Sequence, residues 1–373
     1  MKKLIVHIGA PKTGTSAIQH FMLRNREALA RQGVLYPQGG MLKSAHHLIG
    51  AAIHPLRSKR LGSSSREEVL ATAIHAIHDE IATQQPHTLV ISTEYLWGKL
   101  SAANVNRLLA AFPGWRVHVV AYLRRQDLLA QSLYVQAVKT GTPLSFPQWV
   151  DTAIDSGKAG FFFHEVLSCW RDCGLPVTVD VRIYEKSQIG SDICNDFLKV
   201  IGADATGPFS FDDRSVNSAP DMVTTELMRM INASMPAKEI AERIRRNIVK
   251  HSAPRALFAP LRYLDAAEVQ AFMQRFEADN RRVALDYVKA ADGALFRDPL
   301  PGDGGTTDHG FQSPELLQRL IELLPTMIAL PAELKQAAAT ATLPDSAAVA
   351  RDKAQRMKKK QRKMQAKLLD NPA

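Results

Sequence analysis

The run His7-Ile8-Gly9-Ala10-Pro11-Lys12-Thr13-Gly14-Thr15-Ser16 has the residue types of an anion-binding loop. Leu4-Ile5-Val6 before it reads as a buried strand. After it, Ile18, Met22 and Leu29, with Phe21 and Ala28 alongside, predict an apolar helical face that runs until Gly33. In a strand, glycine-containing turn and helix, backbone N–H groups and the positive end of the helix dipole converge on one anion. A nucleoside-triphosphate loop carries its lysine after the second glycine, as G-x-x-x-x-G-K-[ST]. Here Lys12 precedes Gly14 and no lysine follows it, so the cation is displaced along the bound phosphate chain. The plainer alternative is a Thr/Gly helix N-terminus with a solvated lysine.

The loop resembles the 5′-phosphosulfate-binding motif of sulfotransferases, which use 3′-phosphoadenosine-5′-phosphosulfate as donor. The resemblance is closest to bacterial members with a Gly-x-Pro-Lys-Thr-Gly-Thr loop and a Tyr-Leu-Arg-Arg strand end, here Tyr122-Leu123-Arg124-Arg125, and covers about residues 1–220. It implies a 3′-phosphate element built from Arg124, at the end of the strand Val117–Tyr122, and Ser132, eight positions on along the next helix. A guanidinium makes a forked contact with phosphate and a hydroxyl donates to another oxygen. Arg125 is the alternative fork, or a surface charge. Tyr184, ending the strand Val179–Ile183, stands where the family places a tyrosine near adenine; an edge tyrosine is the alternative. Arg214, in Arg214-Ser215-Val216-Asn217-Ser218, falls where the family closes a basic loop over the nucleotide.

These residues need a scaffold. Further strands are predicted at Val34-Leu35-Tyr36, 88–92 and 177–179, with helices near 66–84, 101–111, 126–139, 161–172 and 191–201. Alternation of this kind predicts an α/β fold with a central parallel sheet and ligands at the carboxyl ends of the strands. The resemblance narrows this to a three-layer α/β/α, P-loop-containing sulfotransferase-like fold with a helical C-terminal extension. Segments 39–65 and 140–160, with Gly, Pro and Ser, predict substrate-facing loops, and 220–300 reads as mostly helical. The expected organisation is an α/β domain over 1–300, a helical extension over 301–344 and a basic tail over 345–373.

Composition fits this scheme. A chain of 373 residues with 46% hydrophobic content can bury a large core. No apolar run approaches the ~18 residues of a membrane span, and His7 and Lys12 interrupt the N-terminal apolar run before a signal-peptide core forms. Cys169, Cys173 and Cys194 are an odd, sparse set, which points to reduced thiols in a cytoplasm. Cys169 and Cys173 are spaced for one helix face, but no nearby His or Cys completes a zinc site, so no metal is expected. Residues 351–367 hold nine Lys or Arg and one Asp, which places eight of the ten net positive charges there. Such a tail is a solvated helix or arm, or a contact for an anionic membrane surface such as the inner face, an acidic polysaccharide or nucleic acid; base-reading aromatics are missing from it, so specific nucleic-acid binding is not expected.

The implied chemistry is sulfuryl transfer to a hydroxyl or amine of an acceptor, expected from the resemblance to be a saccharide or glycolipid. Lys12 neutralises the leaving phosphate, and Thr13, Gly14, Thr15 and Ser16 hold its oxygens. Glu94 follows a strand end on the same rim and is the candidate base; His46 and His47 are the alternative, since histidine titrates near working pH. Two other classes remain at this stage. A P-loop-type kinase needs magnesium ligands and a lysine after the glycine. A non-catalytic nucleotide-binding protein would use the basic tail as its working surface.

Overall fold

The computed structural model describes residues 2–189, 192–211, 220–234, 238–251 and 263–300. Five strands, β1 Lys3–Gly9, β2 Val34–Leu35, β3 Thr88–Ser92, β4 Arg116–Leu123 and β5 Val177–Ile183, form one all-parallel sheet in the order β2-β3-β1-β4-β5. Consecutive residues of β1 from Leu4 to Gly9, and all of β3, are buried whichever way they point, so the sheet is covered on both faces. The register brings His7 of β1 level with Ser92 of β3 and Val120 of β4. The chain runs to one side of β1 for β2 and β3 and to the other for β4 and β5, which makes the carboxyl end of β1 the switch point where α/β sheets open a crevice.

Helices α1 Thr15–Arg24 and α2 Arg26–Arg31 follow β1. The single helix expected to Gly33 is interrupted at Asn25, whose side-chain N–H donates to the carbonyls of Phe21 (2.9 Å) and Ser210 (3.0 Å) while its oxygen accepts from Ser210 N (2.8 Å). An asparagine that satisfies its own helix end and a segment 185 residues away leaves the helix no reason to continue. Segment 39–65, expected as loop, contains α3 His47–Ile53 and a 3-10 helix over Pro55–Leu61. Gly50 sits inside α3, where a Cβ would come within 2.6 Å of Tyr95 Cβ, so the close approach to Tyr95 requires glycine there. Next come α4 Arg66–Gln84, closed by a Ser65–Glu68 capping box, α5 Ala102–Leu109 and α6 Gln126–Lys139. Segment 140–160, also expected as loop, contains α7 Phe146–Asp155, which buries Phe146 and Val150. Then follow α8 Phe163–Arg171, α9 Lys186–Ile189, α10 Ile193–Ile201, α11 Met222–Ser234, α12 Lys238–His251, α13 Ala266–Gln274 and α14 Glu277–Val283, the last running into a π-helical turn over Ala284–Val288. Cys169 lies in α8 and Cys173 just beyond it; Cys173 and Cys194 are buried and Cys169 is half-buried, all as free thiols.

The described residues cluster as two compact units within the span expected as one domain. The first, whose described residues fall within 2–134, 146–211 and 263–300, contains the sheet and a core of Ile5, Ile18, Met22, Val90, Val120 and Phe197. The second includes Val135–Ser145 and Ala219–Pro254. It is helical and is organised by Asn232, which donates to the carbonyls of Val138 and Thr142 (both 2.9 Å) and accepts from Arg245 (2.6 Å). Among the described residues no helix is long and apolar enough to cross a membrane. The expected extension over 301–344 and the basic tail lie outside the described residues.

Candidate functional site

Three strand ends converge at one rim of the first unit. Beyond β1, Ala10 N–H donates to Tyr122 O of β4 (3.1 Å), and Thr93 N–H donates to His7 O from the end of β3 (3.0 Å). The loop is closed from within by Thr13, whose fully buried hydroxyl donates to Ala10 O at 2.6 Å. The Thr13 side chain therefore shapes the loop, so an anion bound there would meet backbone N–H groups rather than this hydroxyl. The first hydrogen bond of α1 runs from Ile18 N to Gly14 O (3.1 Å), so the N–H groups of Thr15 and Ser16 have no acceptor within the helix. Ser16 is exposed, Thr15 is buried, and Lys12 is half-buried with φ 65°.

Arg124, at the end of β4, donates through Nη1 to the carbonyl of Lys12 at 3.2 Å, joining two segments 112 residues apart in sequence. Its guanidinium also lies 5.9 Å from the centre of the Tyr184 ring. Tyr184 is buried, and its ring edge is 3.3 Å from where a Gly14 Cβ would stand. It therefore packs beneath the loop and the arginine. Burial raises its phenol pKa, with Arg124 opposing. Ser132 is buried in α6 about two helical turns beyond Arg124.

Arg125 is neither a phosphate fork nor a surface charge. It is buried, makes a two-pronged ion pair with Asp127 (2.8 and 3.1 Å) and donates to the carbonyls of Asp298 (2.9 Å) and Pro299 (3.0 Å). Of the adjacent arginines, Arg124 thus faces the loop and Arg125 anchors the segment at 298–299. Arg214 lies outside the described residues.

On the opposite flank, Glu94 begins a 3-10 turn directly after β3, and Gly9 fits against it: a Cβ at Gly9, which has φ 94°, would stand 3.2 Å from Glu94 Cβ. Glu94 Oε2 accepts from Gln19 Nε2 at 3.0 Å, and its Oε1 is 3.8 Å from His47 Nε2. The two side chains are 27% and 16% exposed, so both can be reached from solvent. His47 also contacts Thr93 Oγ1 through Nδ1 (2.9 Å) and stacks on Tyr95 with ring centres 4.2 Å apart. Behind Glu94 the polar chain continues inward. Gln19 donates to Ser92 Oγ (3.3 Å), which contacts His7 Nδ1 (2.8 Å). His7 is fully buried, its Nε2 has no hydrogen-bond partner among the described residues, and burial pushes its pKa down to about 3, so it remains neutral.

His46 has a different task. Its ring is fully buried, Nε2 donates to Pro37 O (2.9 Å) and Nδ1 accepts from Ser92 N (3.1 Å). Both nitrogens are committed to backbone and burial pushes the pKa down to about 4, so of the two neighbouring histidines only His47 stands at the accessible carboxylate. Gln19 escaped the sequence reading. The available signal was a polar residue beside Ile18 and Met22 on the face expected to be apolar.

Among the described residues no group of three or more His, Cys, Asp or Glu is arranged to hold a metal ion. A cleft of about 810 Å³ lies along α4, lined by Arg26, Gly40, Leu48, Thr72 and Glu80 among others, and includes neither Lys12, Arg124 nor Glu94.

No protein-family description matches the chain, and no solved structure matches it. A stretch of 200 residues is 26% identical to an uncharacterized protein of Archaeoglobus fulgidus, covering 52% of this chain and 50% of that one. The match thus spans about half the length of that relative.

Proposed function

We propose that the protein is a sulfotransferase that moves a sulfuryl group from 3′-phosphoadenosine-5′-phosphosulfate to a hydroxyl or amine of an acceptor, with a saccharide or glycolipid as the acceptor class. The observation that carries this reading is the contact of Arg124 with the Lys12 carbonyl, which brings a guanidinium to the loop whose lysine precedes its glycine. The donor substrate carries phosphates on the 5′ and 3′ positions of one ribose, and the rim offers a cation for each. Lys12 and the N–H groups opening α1 suit the 5′ side. Arg124, with the Ser132 hydroxyl on α6, suits the 3′-phosphate.

The acceptor oxygen attacks sulfur, the bond from sulfur to the bridging phosphate oxygen breaks, and 3′-phosphoadenosine 5′-phosphate leaves. Lys12 balances the charge that grows on that bridging oxygen. The proton released by the acceptor goes to Glu94, which a Gln19 N–H holds in place from behind. His47 orients the carboxylate from the exposed side.

The reading is tested by calorimetric titration of 3′-phosphoadenosine 5′-phosphate against AMP. The unmodified protein should prefer the former by at least tenfold, and Arg124→Ala should remove most of that preference. A forked charge-assisted contact of about 1.5–3 kcal/mol corresponds to that factor or more. Equal affinities in the unmodified protein would reject the assignment.

A further inference from the structure

Resting on the sulfotransferase reading, we propose that Arg57 forms an acceptor subsite for an anionic group, so that the preferred acceptors are saccharides bearing a carboxylate or sulfate set apart from the reacting hydroxyl. Arg57 lies in the 3-10 helix Pro55–Leu61, held in its turn by a backbone bond from its N–H to His54 O (2.9 Å). It is exposed, and its guanidinium lies over the Tyr95 ring, 5.5 Å from the centre. Tyr95 is stacked on His47, and His47 Nε2 is 3.8 Å from Glu94. The stack runs outward from the proposed base in the order carboxylate, imidazole, phenol, guanidinium. Its outer end is fixed in position by a flat aromatic platform.

The surrounding charges set Arg57 apart. Arg66 is committed to the carbonyls of Ala52 and Ile53 at the end of α3 (both 2.8 Å), and Arg107 to Ala52 O (2.9 Å) and Glu67 (2.8 Å). Among the described residues the Arg57 guanidinium has neither a carboxylate nor a carbonyl partner. Its positive field is felt next door, where burial, followed by Arg57 and Arg66, pushes His54 down to about 4. A guanidinium on an aromatic face keeps its in-plane N–H groups available, and these match the two oxygens of a carboxylate or sulfate. Glu94 would disfavour an anion at the base itself, so the acceptor's charge belongs at the far end of the stack.

The test compares three disaccharides of the same linkage as acceptors, one neutral, one containing a hexuronate and one O-sulfated. Both anionic forms should show a KM at least about tenfold below the neutral one, and in Arg57→Gln that ratio should collapse towards one, with Arg57→Lys between the two. Preference for only one anionic form would assign the subsite to carboxylate or to sulfate. Titration with 3′-phosphoadenosine 5′-phosphate in each variant verifies the folded donor site. Equal KM values in the unmodified protein, or a ratio that survives in Arg57→Gln, overturns the subsite while leaving the sulfotransferase reading intact. If no preference for the 3′-phosphorylated nucleotide is found, that reading falls by itself. Ligand-observed NMR with the hexuronate and sulfated disaccharides then decides the subsite: binding lost in Arg57→Gln upholds it, and binding absent or unchanged rejects it.

Discussion

Gln19 donates its side-chain N–H to Glu94 Oε2 at 3.0 Å, linking the helix that follows the glycine loop to the carboxylate on its opposite flank. The amide is buried, and its second contact, with Ser92 Oγ at 3.3 Å, fixes its orientation. A donor aimed at one carboxylate oxygen holds the side chain in place and leaves the other, Oε1, directed towards His47. Gln19→Leu keeps the side chain's approximate size and removes that donor. Turnover is expected to fall by roughly one to two orders of magnitude, less than for loss of the base itself, with nucleotide affinity nearly unchanged. Gln19→Glu sets a second carboxyl beside Glu94, so the pair shares a proton and the acid limb of the kcat profile moves to higher pH. An unshifted pH profile in Gln19→Glu would remove Gln19 from this role.

On the proposed sulfuryl transfer, Lys12 separates binding from catalysis. Charge on the bridging phosphate oxygen grows only as the bond to sulfur breaks, so a cation there acts mainly on the transition state. Lys12→Ala should lower kcat and kcat/KM together by about 10²-fold or more while the dissociation constant for 3′-phosphoadenosine 5′-phosphate changes much less. A loss expressed entirely in nucleotide affinity would make Lys12 a ground-state anchor.

Glu94 and His47 can be ranked by their geometry. Glu94 accepts a hydrogen bond from Gln19 and directs Oε1 towards His47, which stacks on Tyr95. Glu94→Gln keeps the shape and removes the basicity, and single-turnover transfer at saturating donor should slow by roughly 10²–10⁴-fold. His47→Ala should cost less and act mainly through acceptor KM. Full activity in Glu94→Gln beside an inactive His47→Ala would transfer the role of base to the imidazole.

Local patterning was enough to place the scaffold. Strand β3 and helix α4 lie where the hydrophobic patterning put them, and the parallel sheet follows from the alternation of strand and helix. The failures came from contacts between distant parts of the chain. Asn25 ends α1 because it also binds Ser210, α3 forms in a segment expected as loop with Gly50 packed against Tyr95, and Arg125 is withdrawn from the rim by Asp127 and residues 298–299. None of these partners is close enough in sequence to alter a local hydrophobic period, except Asp127, and two adjacent arginines look alike until the fold buries one. The loop and Glu94 were legible because they follow strand ends directly. The Gln19–Ser92–His7 chain behind them was not, since it is assembled from three separate elements.

His46 supplies a prediction about stability. Its buried ring bridges Pro37 O and Ser92 N, and burial lowers its pKa from 6.5 to about 4 in the folded protein. Between those values the unfolded chain binds the proton more readily, so this contribution to stability is complete above pH 6.5 and is lost as the pH falls towards 4. Lowering the pH from 7.5 to 5 should therefore cost roughly 2 kcal/mol through this one residue. His7, lowered to about 3 by burial, adds in the same direction. His46→Gln should be less stable at pH 7.5 by about 1–3 kcal/mol, because its shorter reach leaves at least one backbone partner unsatisfied. Its stability should also fall less steeply with acid, by the equivalent of one proton. Urea unfolding of both proteins across pH 5–7.5 measures that slope, and parallel pH dependences would show that His46 is not the group being titrated.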